Sequence, residues 1–277
     1  MTDTPTRWLL ALPENDPFAR TLARRFVRPG RQVEFCPVGT ESPVQPPPAV
    51  VIVDLSLPGA DALLRRFKLA PGGAVTAVLG LLPARDGDET PTTETGLRVR
   101  PDREAREPFS AVELAERVEE LAAERLLRPE LRTLALDYVP DLDRQDQAAE
   151  LIELLLADAG LPEEPRFCFG CGVREALDNA RLHGSRPGAS PDRARVWFES
   201  DARQVMVAVS DGGHGPTTPQ LPDGSESPSA AARRRNASGK PGGLGMHIMR
   251  RMSDEVRYEP ASKLVMLVKR LVPAGVR

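Results

Sequence analysis

Cysteine is scarce. Cys36, Cys168 and Cys171 are the only three in 277 residues, too few for a disulfide framework. Long apolar runs are missing as well. No stretch of 18 apolar residues occurs, so no segment reads as a membrane span. No basic stretch leading into an apolar core opens the chain, so nothing reads as a secretory leader. Excess charge of one sign is also absent. Lys and Arg number 37 against 40 Asp and Glu, a formal net charge of −3. No global field then points to nucleic acid or to an anionic lipid surface. Lysine itself is nearly missing: it occurs as Lys68, Lys240, Lys263 and Lys269, and arginine supplies the rest. We read that as genome composition rather than function. The expectation is a soluble, cytoplasmic protein with neither a membrane nor a nucleic acid as direct partner. The length suits two domains, each able to bury its own core.

The most informative stretch is REALDNARLHG, Arg174–Gly184. It carries an acid, an amide and an imidazole at four-residue steps: Glu175, Asn179 and His183. On a helix, residues four apart stack on one face. Ala176, Leu177, Ala180 and Leu182 supply apolar contacts around that stripe. Three aligned polar groups either lie on a solvated face or need a partner to offset desolvation. A nucleotide with its metal would be such a partner.

The first half alternates strands and helices. Arg7–Pro13 (RWLLALP) reads as a strand, and Asp16-Pro17 opens a helix with Phe18, Leu22 and Phe26 at helical spacing. Ala49–Leu55 (AVVIVDL) reads as a buried parallel strand. Asp61–Lys68 is a short helix and Ala74–Leu82 another strand. Arg85–Thr95 is polar and turn-rich, and Gly96–Val99 is a last short strand. Pro108–Leu127 is a strong helix with Ser110 and Glu113 forming a capping box. The expected fold of residues 1–127 is α/β, a doubly wound parallel sheet. Ligands of such sheets bind at the carboxyl ends of the strands, where Glu14 and Asp54 fall.

In residues 128–277, a linker at Pro129 runs into a strand, then a helix over Leu142–Gly160 with Gly160 as C-cap. A long helix over about 165–183 carries the polar stripe. Its Cys168 and Cys171 are a lone CxxC, a weak zinc or redox signal; buried thiols on the core face are the expectation. Arg195–Glu199 and Gln204–Ser210 form a hairpin that runs into Asp211-Gly212-Gly213-His214-Gly215. Pro216–Pro241 has no apolar periodicity and reads as a lid or a disordered insert. Gly242-Gly243-Leu244-Gly245 then opens a helix, Met246–Met252, and Asp254–Tyr258 and Leu264–Leu271 are closing strands. The order predicts an α+β two-layer sandwich, a mixed sheet backed by helices.

The first half resembles the receiver domain of response regulators. Glu14-Asn15-Asp16-Pro17, VIVDLSLPGAD at 51–61 and EPFSAVELAERV at 107–118 carry the resemblance. It implies that Asp54 matches a phosphate-accepting Asp and Glu14 one acidic Mg²⁺ ligand. The second acidic position is Asn15, the Ser/Thr position falls near Leu82 or Pro83, and the position of the phosphate-neutralising Lys is Glu107. A Glu there repels phosphoryl oxygens. We therefore read a degenerate receiver, a binding or dimerising module, ahead of a working phospho-acceptor. The bland alternative for Asp54 is a helix- or turn-capping role.

Residues 130–272 resemble the ATPase superfamily shared by gyrase, the ninety-kilodalton heat-shock chaperone, histidine kinases and mismatch-repair proteins. Three boxes occur in the right order, and the likeness is greatest to bacterial anti-sigma-factor serine kinases. The resemblance implies ATP and Mg²⁺ as cofactors, with Asn179 as metal ligand and Glu175 as general base. Asp211 would accept the adenine amino group, and Gly213 and Gly215 would let the backbone approach the base. Gly243 and Gly245 would shape an anion-binding turn. His183 is either a phosphate contact or a packing residue. Lys240 and Arg233–Arg235 either close over the phosphates or belong to a solvated lid. Ala261-Ser262-Lys263 departs from the family's Gly-Thr-Thr-like turn, and Thr217-Thr218 lacks the Lys that usually follows. The implied function is phosphorylation of Ser or Thr on a partner protein, a sigma factor or its antagonist being the implied partner. The alternative is an ATP-binding switch or adaptor without phosphotransfer. Homodimerisation through either half is implied on the same grounds.

Overall fold

The computed structural model describes residues 6–38, 47–70, 72–84, 96–184, 193–211, 244–259 and 262–271. In chain order the elements are β1 (Thr6–Ala11), α1 (Pro17–Phe26), β2 (Arg31–Phe35), β3 (Val50–Asp54), α2 (Ala60–Leu69), β4 (Ala77–Leu82), β5 (Leu97–Arg100), β6 (Arg103–Arg106) and α3 (Ala111–Leu127). There follow β7 (Arg132–Tyr138), α4 (Leu142–Asp158), α5 (Glu163–Gly184), β8 (Ala194–Ser200), β9 (Gln204–Ser210), α6 (Leu244–Met252), β10 (Glu255–Glu259) and β11 (Leu264–Arg270). The chain divides into two compact units, Met1–Ala135 and Leu136–Arg277.

In the first unit the strands lie in the order β2-β1-β3-β4-β6, and all four pairings are parallel. A parallel sheet needs cover on both faces. Leu10, Ile52 and Leu79 pack with Leu22 and Phe26 of α1 and Leu114 and Val118 of α3 in one cluster. Their neighbours Leu9, Val51 and Val78 point the other way and are equally buried; α2 buries Leu63, Leu64 and Phe67. Asp16 caps α1, its carboxylate accepting from the Phe18 amide at 3.1 Å. The capping box on α3 forms as expected from Ser110 and Glu113.

The edges depart from expectation. The segment over 96–99 does form a strand, β5, but it does not join the parallel sheet; β6 takes that edge instead. The other edge, β2, has no counterpart in the sequence reading. The strand expected from Ala74 starts at Ala77, because Gly73–Val75 make a 3₁₀ turn.

A buried ionic knot ties this unit together. Lys68 on α2 is fully buried. Its Nζ donates to both carboxylate oxygens of Asp102, at 2.9 and 2.7 Å, and to the Thr76 carbonyl at 2.8 Å. Arg125 on α3 donates to the same carboxylate at 2.8 Å.

In the second unit the strand order is β10-β11-β9-β8-β7. β10–β11, β11–β9 and β9–β8 pair antiparallel. Asp201 closes the β8–β9 hairpin by accepting from the amides of Arg203 and Gln204 at 2.8 and 3.0 Å. Asp141 caps α4 through the Arg144 amide at 2.9 Å, and Gly160, at φ +80°, follows the helix in the left-handed region that suits glycine. The core holds Ile152 and Leu156 of α4, Phe169, Val173 and Leu177 of α5, and Val196, Val207 and Leu267 of the sheet. Cys168 and Cys171 are free and only half-buried. That corrects the expectation of core thiols: Phe169 and Val173 take the core face of that stretch. No helix among the described residues is long and apolar enough to cross a membrane.

Candidate functional site

The sequence of α5 sorts its own faces. Phe169, Val173, Ala176, Leu177 and Ala180 recur at three- and four-residue steps and are buried. That leaves Glu175 and Asn179 half-buried on an adjacent stripe. Helix α6 lies along this stripe. A Cβ placed on Gly172 of α5 would stand 3.5 Å from the Met252 Cβ and 3.6 Å from the Met249 Cα, so the two helices approach closely there. At the other end of α6, a Cβ placed on Gly245 would stand 2.7 Å from Glu175 Oε2 and 3.3 Å from Asn179 Nδ2. Glycine at 245 is therefore what lets the first turn of α6 sit against the acid and the amide.

Burial raises the pKa of Glu175, and the negative charge of Asp178 raises it further. Asp178 stands three residues on, a helical neighbour. It is held in place by Gln145 Nε2 of α4 at 3.0 Å and by Arg181 Nη2 at 3.0 Å. Arg181 Nε in turn donates to Gln145 Oε1 at 2.8 Å. A carboxylate with raised proton affinity is better suited to accept a proton near neutral pH than an ordinary Glu.

Asp211 is placed by other elements. It follows β9, whose last residue, Ser210, pairs with Leu264 of β11. Ser210 Oγ donates to the Ser262 carbonyl at 2.9 Å, and Ser262 Oγ donates to Glu259 Oε2 at 2.6 Å. The pKa of Tyr258 is raised, by burial first and then by the charge of Asp211. Asp211 thus stands beside the end of β10 and the start of β11.

Glu175, Asn179 and Gly245 are brought together, and Asp211 stands at a strand end in the same unit. Gly213, Gly215, Lys240 and Gly243, the 216–241 lid and the side chain of His183 lie outside the described residues. Asp178, Gln145 and Arg181 were missed by the sequence reading. The i,i+3 spacing of Asp178 from Glu175 was the available signal; nothing local marks Gln145.

In the first unit a pocket of about 380 Å³ opens at the carboxyl ends of the parallel strands. Asp54 lines it, as the sheet order requires, and so do Asp16, Glu107, Phe18 and Phe109. Glu14 does not: it is exposed, and its carbonyl accepts from Arg20 Nε at 2.9 Å. The turn after β1 presents Asp16 to the pocket instead, because that residue starts α1. Asp54 Oδ1 accepts from the Ser56 amide at 2.9 Å and from Ser56 Oγ at 2.6 Å. This is a turn-capping arrangement.

Among the described residues no group of three His, Cys, Asp or Glu side chains stands ready for a metal. Mg²⁺ in nucleotide sites is held by one or two protein oxygens together with the phosphates, and an amide oxygen beside a glycine-lined helix start fits that need. No curated protein matches the chain. Residues 139–269, within the second unit, match the family model of the histidine kinase-like ATPase domain.

Proposed function

We propose that residues 128–277 bind MgATP and transfer its γ-phosphoryl group to a serine or threonine of a partner protein, as in anti-sigma-factor serine kinases. The observation that carries this reading is the seating of Gly245 against Glu175 and Asn179. On this reading Asn179 supplies an oxygen to the metal, which neutralises phosphate charge. Glu175 accepts the proton of the attacking hydroxyl, so that its oxygen bonds to phosphorus as the bond to ADP breaks. The raised proton affinity of Glu175 supports that role. Asp211 accepts from the adenine amino group. The amides at the start of α6 face the phosphates. The partner is a sigma factor, its antagonist, or both, and a homodimer is the proposed assembly.

The first unit is, on the same reading, a degenerate receiver-like module. The parallel order β2-β1-β3-β4-β6 and the place of Asp54 at the end of β3 support it. Asp54 is there engaged by Ser56, and Glu107 stands where the resemblance calls for a lysine.

A second reading, an ATP-gated switch without transfer, is favoured by the altered turn at Ser262-Lys263. Calorimetry of the full chain with MgATP, against Asp211→Asn, tests the shared part: binding that the substitution weakens is expected, and identical heats would remove the basis of both readings. Labelled ATP with candidate antagonists separates them. Glu175→Ala is expected to stop transfer and leave binding intact. A wild type that transfers to no candidate favours the switch.

A further inference from the structure

The pocket of the first unit sets apolar groups beside its carboxylates, a combination that the ATP reading of the second unit does not use. Part of its wall is apolar: Leu12, Leu81 and Leu82, and the ring pair Phe18–Phe109, whose centroids lie 5.7 Å apart at 47°. Its polar groups are the carboxylates of Asp16, Asp54 and Glu107 and the hydroxyl of Ser56. No arginine or lysine is among the described residues that line it. The guanidinium of Arg20 is turned onto the Glu14 carbonyl and the Asn15 amide oxygen, and that of Arg106 donates to the Pro83 carbonyl at 3.2 Å.

The carboxylates are not used up by the fold. Asp16 Oδ1 caps α1, Asp54 Oδ1 takes both bonds from Ser56, and Glu107 Oε2 accepts from the Ala84 amide at 3.3 Å. Among the described residues each thus has one oxygen engaged and a second left for a ligand. Among the described lining residues, an anion entering here would meet three carboxylates and no lysine or arginine. A bare hydrated cation would gain nothing from the rings and leucines. A group with a positive, hydrogen-bonding head and a flat or apolar body satisfies both walls: the head takes charge-assisted bonds to the carboxylates, and the body covers the rings, whose faces also attract cations. The volume is at the lower end of what small-molecule pockets offer.

We propose that this pocket is a binding site for a small organic cation, an amine, amidine or guanidine carried on an apolar body. The site is independent of the ATP reading and lies wholly within the first unit. It gives Glu107 a positive role: a lysine there would close the pocket to this class of ligand.

Benzamidinium is a suitable probe, titrated into the full chain by calorimetry, with neutral benzamide and phenyl phosphate as isosteric controls and MgCl₂ in a separate arm. Saturable binding of benzamidinium is expected, with neither control binding. Asp54→Asn and Glu107→Gln should each weaken it about tenfold or more, the loss of one charge-assisted bond. Thermal unfolding of each variant checks that the fold is kept; Glu107 is exposed, so its variant stays informative if Asp54→Asn misfolds. Absence of saturable heat, equal binding of benzamide, or wild-type affinity in both variants would each overturn the proposal. So would stoichiometric Mg²⁺ uptake abolished by Asp54→Asn in the absence of benzamidinium binding, which assigns the pocket to a metal.

Discussion

Gly245→Ala separates function from stability, and its size can be worked from the structure. The added Cβ would stand 2.7 Å from Glu175 Oε2, whereas ordinary contact begins at 3.4 Å. The carboxylate must then retreat by about 0.7 Å, the difference of those two distances. It is the end of a flexible side chain, so the retreat costs little. Alanine also favours a helix over glycine by up to about 1 kcal/mol. Net stability should therefore change by no more than about 1 kcal/mol in either direction. Positioning is less forgiving: a misplacement of about 1 Å at a reacting group costs on the order of 10²-fold in rate. The expected variant melts like wild type, binds MgATP more weakly through the crowded Asn179, and loses about 10²-fold in phosphoryl transfer or ATP turnover. Circular dichroism on heating, calorimetry and a labelled-ATP assay measure the three. At saturating MgATP the double variant with Glu175→Ala should transfer no more slowly than Glu175→Ala alone, since the transfer defect of both acts through Glu175, while its MgATP binding stays weakened through Asn179. Wild-type affinity and turnover in Gly245→Ala would refute the assembly of the site around these three residues.

Other expectations concern the rest of the molecule. Asn179→Ala should remove the Mg²⁺ dependence of ATP binding, seen as equal calorimetric affinity with and without the metal. Lys68→Ala should destabilise the protein by about 3–5 kcal/mol in urea unfolding, because it leaves Asp102 buried with only part of its compensation. Burial pushes the carboxyl of Asp102 up, but the charges of Lys68 and Arg125 outweigh it and hold the pKa below the usual value. Its stabilisation is thus present above the unfolded carboxylate pKa of about 3.9 and lost as pH falls through the folded value. Acid unfolding followed by fluorescence should show that loss in wild type and a shallower slope in Asp102→Asn. Ser110→Ala should cost about 1 kcal/mol through the lost cap of α3, measured by the same urea titration.

The elements legible in the sequence are those whose side chains report burial. Val51, Ile52 and Val53 are buried on both faces of β3, so an unbroken apolar run marks the strand. The edge strands carry no such mark. β2 has no fully buried residue, and β6 is Arg-Glu-Ala-Arg with only Ala105 buried; edges are often made polar in this way. β5 was legible because Leu97 and Val99 are buried, but two buried residues do not say which sheet they enter. The same division runs through the candidate site. Glu175 and Asn179 stand out because helical spacing is local, and Gly245 stands out as part of a glycine run. The reason for that glycine is not local: it appears only when α6 lies on α5, some 70 positions away along the chain. Glu14 and Asp16 are alike in type, and only the turn conformation decides that the second lines the pocket. Asp178 shows the division most sharply. Its spacing from Glu175 predicts repulsion, and repulsion alone would swing the two carboxylates apart. What keeps the charge beside Glu175 is Gln145, buried on another helix and 33 residues earlier. A local rule thus supplies the sign of the interaction, and a tertiary contact supplies its persistence.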